Sequence, residues 1–468
     1  MKNYKTIFNR IASKLLLTSA AVYGFSCEVF IDVDTPKTEI ISQTVFTSDA
    51  SAMSAVRGIY SLMASNLSFT KGGIEELTGI ACDELVNYAV RPDQVQFYQN
   101  SLTSINSDVN GIFWKEAFKY IVNANAILEG LNIATGMTSR GKRVVEGEAK
   151  FIRAFCYFYL VNLFGDVPYL ETTDYRKNAT ASRHAKAEVY AFIEKDLLDA
   201  QELLPEDFSS SNGERTQPNK AAAIALLARV YLYQENWPKA EESSSLVIGN
   251  ELYALHTDLD KIFLANSSEA IWQLKPVVPG TNTPYGTLFI LTSAPNATSR
   301  RVSLTNELRV AFEANDLRRN KWVGMFSNAS GTWYFPYKYK VALNPVVTEY
   351  SMVLRLAEQY LIRAEARAHL ENFDGALSDI NVIRDRAGLE ALNILDQPAL
   401  LLAIEQERRV ELFTEWGHRW LDLNRTGRSN DILAPIKSDW QTTDMLLPIP
   451  ESERLLNPNL SQNLGYSY

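Results

Sequence analysis

Apolar residues recur at three- and four-residue steps along most of this chain. In "FWKEAFKYIVNANAILEGL", Phe113, Ala117, Tyr120, Ile121, Ala124, Ile127, Leu128 and Leu131 fall on one helix face. "EGEAKFIRAFCYFYLVNLFGDVP" reads as a second long helix that stops at Gly165 and Pro168, a glycine and a proline in helix-exit order. The same period predicts helices over 48–64, 185–204, 219–233, 238–248, 353–370, 373–386 and 398–416.

Two of these stretches are alike. "AIALLARVYLYQENWPKAEESSSLVI" and "QYLIRAEARAHLENFDGALSDINVIR" align Ala228 with Ala364, Glu235-Asn236 with Glu371-Asn372, Trp237 with Phe373, and Ala240 with Ala376. Small alanines allow two helices to approach closely, and the aromatic after the asparagine is expected to plug the turn between them. This is the logic of a tetratricopeptide hairpin. The fold class predicted is therefore mainly α, a tetratricopeptide-like helical-hairpin scaffold carrying a long irregular, loop-rich insertion with short strands.

That insertion, 251–345, contains Pro276, Pro279, Pro284, Pro295, Pro336 and Pro345 and short runs such as "AIWQLKPV" and "WYFPYKYKV" that read as strands or extended loops. A second irregular stretch covers 87–110. Aromatic loops on a helical scaffold are where binding tends to lie.

The N-terminus alters the picture. Lys2, Lys5, Arg10 and Lys14 precede an uncharged run that ends at Cys27, the order of a signal peptide and too short to span a membrane. Cleavage beside a cysteine resembles bacterial lipoprotein processing. Residues 1–26 are then a leader, Cys27 is the acylated first residue, 27–47 form an acidic tether through Glu28, Asp32 and Asp34, and 48–468 form the folded domain. Loss of the leader, with four positive charges and no negative ones, moves the net charge from -9 to -13. So acidic a chain is not suited to nucleic acid or to anionic lipid through bulk charge.

Cys82 and Cys156 have no C-x-x-C spacing, and four histidines are scattered. Neither a disulfide framework nor a zinc site is expected, and no metal or cofactor. One bridge between the two cysteines and two buried thiols both remain open.

"EQERRVELFTEWGHRWLDLNRTGR" is the most distinctive stretch. Glu407, Glu411 and Glu415 are four apart, with Arg408, Arg409, Arg419, Asp422 and Arg425 close by. Two carboxylates could serve a glycosidase as acid and base, with His418 as a proton shuttle. Interleaved arginines favour a structural ion-pair cluster, because they lower carboxylate pKa values where a glycosidase acid needs one raised. The common nucleotide, zinc-protease and serine-hydrolase motifs are absent, and no catalytic residue is assigned.

Binding residues are expected among the aromatics of the irregular stretches, since sugar rings stack on aromatic faces while Asn, Asp and Arg bind hydroxyls. Tyr88, Phe97, Tyr98 and Asn100 would form one wall, and Tyr285, Phe289, Asn296 and Arg300 the other; Trp333 and Tyr334 are also of interest.

Taken in order, "EAKFIRAFCYFYLVNLFGDVPYL", "AIALLARVYLYQENWPKA", "YLIRAEARAHLENFDGALSDINVIRDRAGL", "ERRVELFTEWGHRWLDLNRTG" and "LPIPESERLLNPNLSQNLGY" resemble the SusD/RagB-like outer-membrane lipoproteins of the Bacteroidetes. The stretch Thr414-Glu415-Trp416-Gly417 departs from the family pattern and reads as a local insertion of little functional weight. The resemblance implies a non-enzymatic lipoprotein on the outer surface that captures oligosaccharides and delivers them to a SusC-like TonB-dependent transporter, the repeats docking the barrel. A peptide-capturing member of the family, a surface glycoside hydrolase and a protein-binding envelope scaffold are the alternatives.

Overall fold

The computed structural model describes residues 45–65, 68–299 and 301–466. The leader 1–26, the acylation site Cys27 and most of the tether 27–47 lie outside the described residues, as does Arg300.

Ten helices carry the scaffold: α1 Asp49–Ser65, α2 Glu116–Asn132, α3 Ser139–Phe164, α4 Lys186–Leu203, α5 Lys220–Tyr233, α6 Trp237–Ile248, α7 Leu356–His369, α8 Phe373–Arg386, α9 Gln397–Glu411 and α10 His418–Arg425. From α2 to α8 each helix packs on the one before it, and α9 returns against α7. The centre is α3. Thr138 caps its start, accepting from the Gly141 amide at 3.0 Å, and every residue from Phe151 to Phe164 is buried. A helix apolar all round has to be enclosed by its neighbours.

The two aligned stretches adopt the same turn. Glu235 (φ 56) and Glu371 (φ 62) both take the left-handed conformation, and the following asparagine caps the next helix. Asn236 accepts from the Lys239 amide at 3.4 Å and Asn372 from the Gly375 amide at 3.1 Å. Ala228, Ala240, Ala364 and Ala376 are fully buried, where a larger side chain would push the helices apart. The aromatic after the asparagine acts differently from the expectation: Trp237 stacks on His369 of the next hairpin instead of plugging its own turn.

Although 251–345 lies between them in sequence, α6 and α7 pack directly. The insertion is looped out, and its ends are clamped together. Strand β2, Ala270–Leu274, pairs antiparallel with β6, Ser351–Arg355, and both are wholly buried. Trp272 of β2 is surrounded edge-on by Phe151 and Phe155 at 5.0 and 5.3 Å. Two more ribbons organise the insertion. Leu85–Asn87 (β1) pairs with Val302–Leu304 (β3), and Val323–Asn328 (β4) forms a hairpin with Gly331–Pro336 (β5).

Two boundaries differ from the periodicity. Residues 353–355 belong to β6, and α9 ends at Glu411 rather than running on to Trp416. Three left-handed residues, Thr414, Trp416 and Gly417, close a tight turn before α10. Glu415 therefore does not share a helix face with Glu407 and Glu411. The turn is also no passive insertion. Trp416 donates its indole N–H to the Met352 carbonyl at 2.6 Å and its amide to Glu75 at 3.1 Å, fastening the turn between α9 and α10 to β6 and to the short helix Ile74–Ala81.

Cys82 and Cys156 are free and buried, and burial pushes both thiols up. No helix among the described residues is long and apolar enough to cross a membrane.

Candidate ligand-binding face

The glutamate and arginine residues are interior. Arg355, 2% exposed, reaches three carboxylates: Glu411 at 2.6 Å, Glu415 at 2.7 Å and Glu269 at 3.1 Å. Arg318 joins Glu407 at 2.5 Å, Glu411 at 3.0 Å and Asp316 at 2.8 Å, while Arg386 bonds Glu411 and Glu269. On the other side of α9, Arg408 pairs with Asp422 at 2.8 Å, Arg425 with Asp422 and Glu365, and Arg419 with Asp83. The network ties α7–α10 to the insertion.

Its electrostatics do not suit acid–base catalysis. Burial pushes Glu411 up, but Arg386, Arg355 and Arg318 outweigh it and hold the carboxyl well below its usual range. Asp422 is held down in the same way by Arg408 and Arg425 against burial. Glu407 differs: burial, reinforced by the negative charge of Glu411, outweighs Arg318 and Arg384 and raises it. Both are sealed, at 2% and 0% exposed, so the pair has no route to a substrate. Burial also takes His418 down to about 4, which leaves it neutral.

The expected binding residues divide into interior and surface sets. Phe97, 1% exposed, packs on Phe113. Asn100 is buried and ends the short helix Pro92–Gln99 in the left-handed conformation, φ 57. Tyr285 donates to Glu75 at 2.9 Å and stacks on Tyr339 at 4.7 Å, and Phe289 is buried beside it. All four are buried and offer no exposed face to a ligand. Asn296 is partly exposed, but its side-chain oxygen accepts from the amides of Thr298 and Ser299, folding its own loop.

Tyr88 and Tyr98 remain at the surface, and the ribbons bring other groups to them. The Tyr88 amide donates to the Arg301 carbonyl at 2.7 Å, and its hydroxyl meets Ser303 at 3.2 Å. Tyr98 lies beneath Lys437, whose ammonium is 4.1 Å from the ring centroid; burial and the nearby Tyr88 and Glu307 push its phenol up. Besides pairing with β1, β3 packs against β5. Arg309, on the short helix that follows β3, covers the Tyr334 ring of β5 at 4.9 Å. On the opposite face of that hairpin, Trp333 is paired across the ladder with Phe326.

The result is a surface of half-exposed aromatic rings, Tyr88, Tyr98 and Tyr334, set beside Arg309 and Glu307. Rings can take the C–H face of a sugar and the two charged groups its hydroxyls. Glu307 and Arg309 carry no mark in the sequence, since their aromatic neighbours, Tyr98 and Tyr334, are distant along the chain.

Comparison with known proteins places this architecture. A family described as "Starch-binding associating with outer membrane" matches residues 40–232, and the SusD family matches 325–466. SusD-like protein P25 of Formosa agariphila is 26% identical, over 94% of this chain and 97% of its own length. A SusD superfamily protein of Bacteroides vulgatus shares the fold with a TM-score of 0.79 at 21% identity, covering 89% of this chain and 99% of that one. Surface glycan-binding protein A of Bacteroides thetaiotaomicron, solved in complex with laminarihexaose, shares it with a TM-score of 0.75 at 21% identity, over 89% of this chain and all of that one. In sequence and in fold, the chain belongs to the SusD/RagB-like family.

Proposed function

We propose that this chain is a non-catalytic, cell-surface glycan-binding lipoprotein that captures oligosaccharides and passes them to a SusC-like TonB-dependent transporter. The observation that carries the reading is the match of residues 40–232 to a starch-binding, outer-membrane-associated family. The laminarihexaose complex of a structural neighbour is consistent with it. The aromatic face around Tyr88, Tyr98 and Tyr334 is a chemically suitable place for the sugar, and the sealed carboxylates of α9 give no support to a glycosidase.

Calorimetry of a form beginning at Glu28 against starch- and laminarin-derived oligosaccharides and peptides tests this, with product analysis of each mixture. Binding without cleavage is the expected outcome. Binding of peptides alone, or release of shorter sugars, would replace the proposal. Anchorage is tested separately: Cys27→Ala should move the protein out of the membrane fraction.

A further inference from the structure

Lys437 lies just beyond the short helix Ser429–Leu433 and is 8% exposed. Among the described residues, the acceptors of its ammonium are two main-chain carbonyls, Ile80 at 2.7 Å and Tyr98 at 2.9 Å. Both belong to the last turns of short helices, Ile80 to Ile74–Ala81 and Tyr98 to Pro92–Gln99. The last four carbonyls of a helix have no partner within it, and the dipole makes that end negative, so a cation is favoured there. One side chain thus ties together two helices that lie more than 300 positions before it in the chain.

The same ammonium covers the ring of Tyr98, its nitrogen 4.1 Å from the ring centroid. A cation at that distance is attracted to the face of the ring. The ring and the main chain of Tyr98 are therefore gripped by one group. Tyr98 is half-exposed, and only the face turned away from Lys437 is left for a ligand. Burial takes Lys437 down to about 8 against Cys82, Asp83 and Glu307, which leaves it largely charged at pH 7. Asp83 is itself engaged by Arg419 and Arg409.

Stacking on a sugar needs a ring already at the right height and tilt, because a side chain ordered in advance spares that cost on binding. We propose that Lys437 is a positioning residue for glycan capture: it fixes the Tyr98 ring from beneath, so that the sugar meets a pre-set face, and does not itself touch the ligand. The inference rests on the aromatic face being the glycan site.

Calorimetry of the protein with laminarihexaose and maltohexaose tests it as a double-mutant cycle. Tyr98→Ala weakens binding about tenfold. Lys437→Met, which keeps the apolar stem and removes the charge and the donors, weakens it about fivefold, and in a Tyr98→Ala background it costs nothing further, within about twofold. Lys437→Arg keeps a cation and donors and retains the affinity. The two carbonyls left without a donor lower the thermal midpoint of Lys437→Met; where that chain does not fold, Lys437→Gln, which keeps a donor without charge, replaces it in the cycle. A merely structural lysine would lower the midpoint and leave the affinity of the folded protein alone.

Unchanged affinity in Lys437→Met beside a weakened Tyr98→Ala, or losses that add in the double variant, overturn the inference and leave the glycan face standing. Unchanged affinity in Tyr98→Ala, or no heat from either sugar, overturns the reading of the glycan face and the inference with it.

Discussion

Trp237 and His369 lie face to face, their ring centroids 3.8 Å apart and their planes 7° from parallel, so that the first residue of α6 is held by the last of α7. Two hairpins that the insertion separates in sequence are thereby joined at their tips. Burial lowers the pKa of His369. Trp237→Ala should cost about 1–2 kcal/mol in urea unfolding, and Trp237→Phe much less, because it keeps a ring on the imidazole.

Arg355 should be far less replaceable. Arg355→Met would leave Glu411, Glu415 and Glu269 sharing fewer cations in a site closed to water. The expected loss is about 3–5 kcal/mol, read as a shift in denaturation midpoint, with reduced yield of folded protein.

The pH dependence has a specific source in Glu75. Burial raises it from an ordinary 4.5 to about 8, against the hydrogen bonds it accepts from Tyr285 and Trp416. Between those values the folded chain retains a proton that the unfolded chain has released. Stability therefore falls as pH rises from about 4.5 towards 8. Glu75→Gln should flatten this slope, its advantage over the parent growing towards pH 8 in unfolding experiments at pH 5 and 8. A residual slope should remain, since burial also raises Glu84 and Glu148 to about 7.

Interior and surface aromatics should separate in one experiment. Tyr285→Ala should destabilise by about 3–5 kcal/mol, since it empties a buried ring site. Tyr334→Ala and Tyr98→Ala should leave the thermal midpoint within a few degrees and weaken oligosaccharide binding about tenfold each. Unchanged affinity in both would move the ligand away from this face.

Helix positions, the paired hairpins and the two strand runs were legible because each is a local pattern: a 3.6-residue period, a Glu-Asn turn, a Pro-bounded apolar run. What the chain did not reveal depends on distant partners. Tyr88 and Tyr285 look alike in sequence, yet one is at the surface and the other faces Glu75, a difference set by residues some 200 positions away. The turn at Thr414-Glu415-Trp416-Gly417 looked dispensable because left-handed backbone at Thr414 and Trp416 has no compositional signature, and because the partners of Glu415, Arg355 and Lys338, lie far back in the chain.

The ladder between Leu85–Asn87 and Val302–Leu304 has a consequence for the order of assembly. Its two strands are more than 200 residues apart in sequence, so closing that loop carries a large entropy cost for three paired residues. The hairpins of the scaffold, whose contacts are local, form first, and the ladder closes on a platform already in place. The aromatic face that depends on it is thus among the last features to appear. A chain whose repeats have formed but whose ladder is still open has a scaffold and no aromatic face.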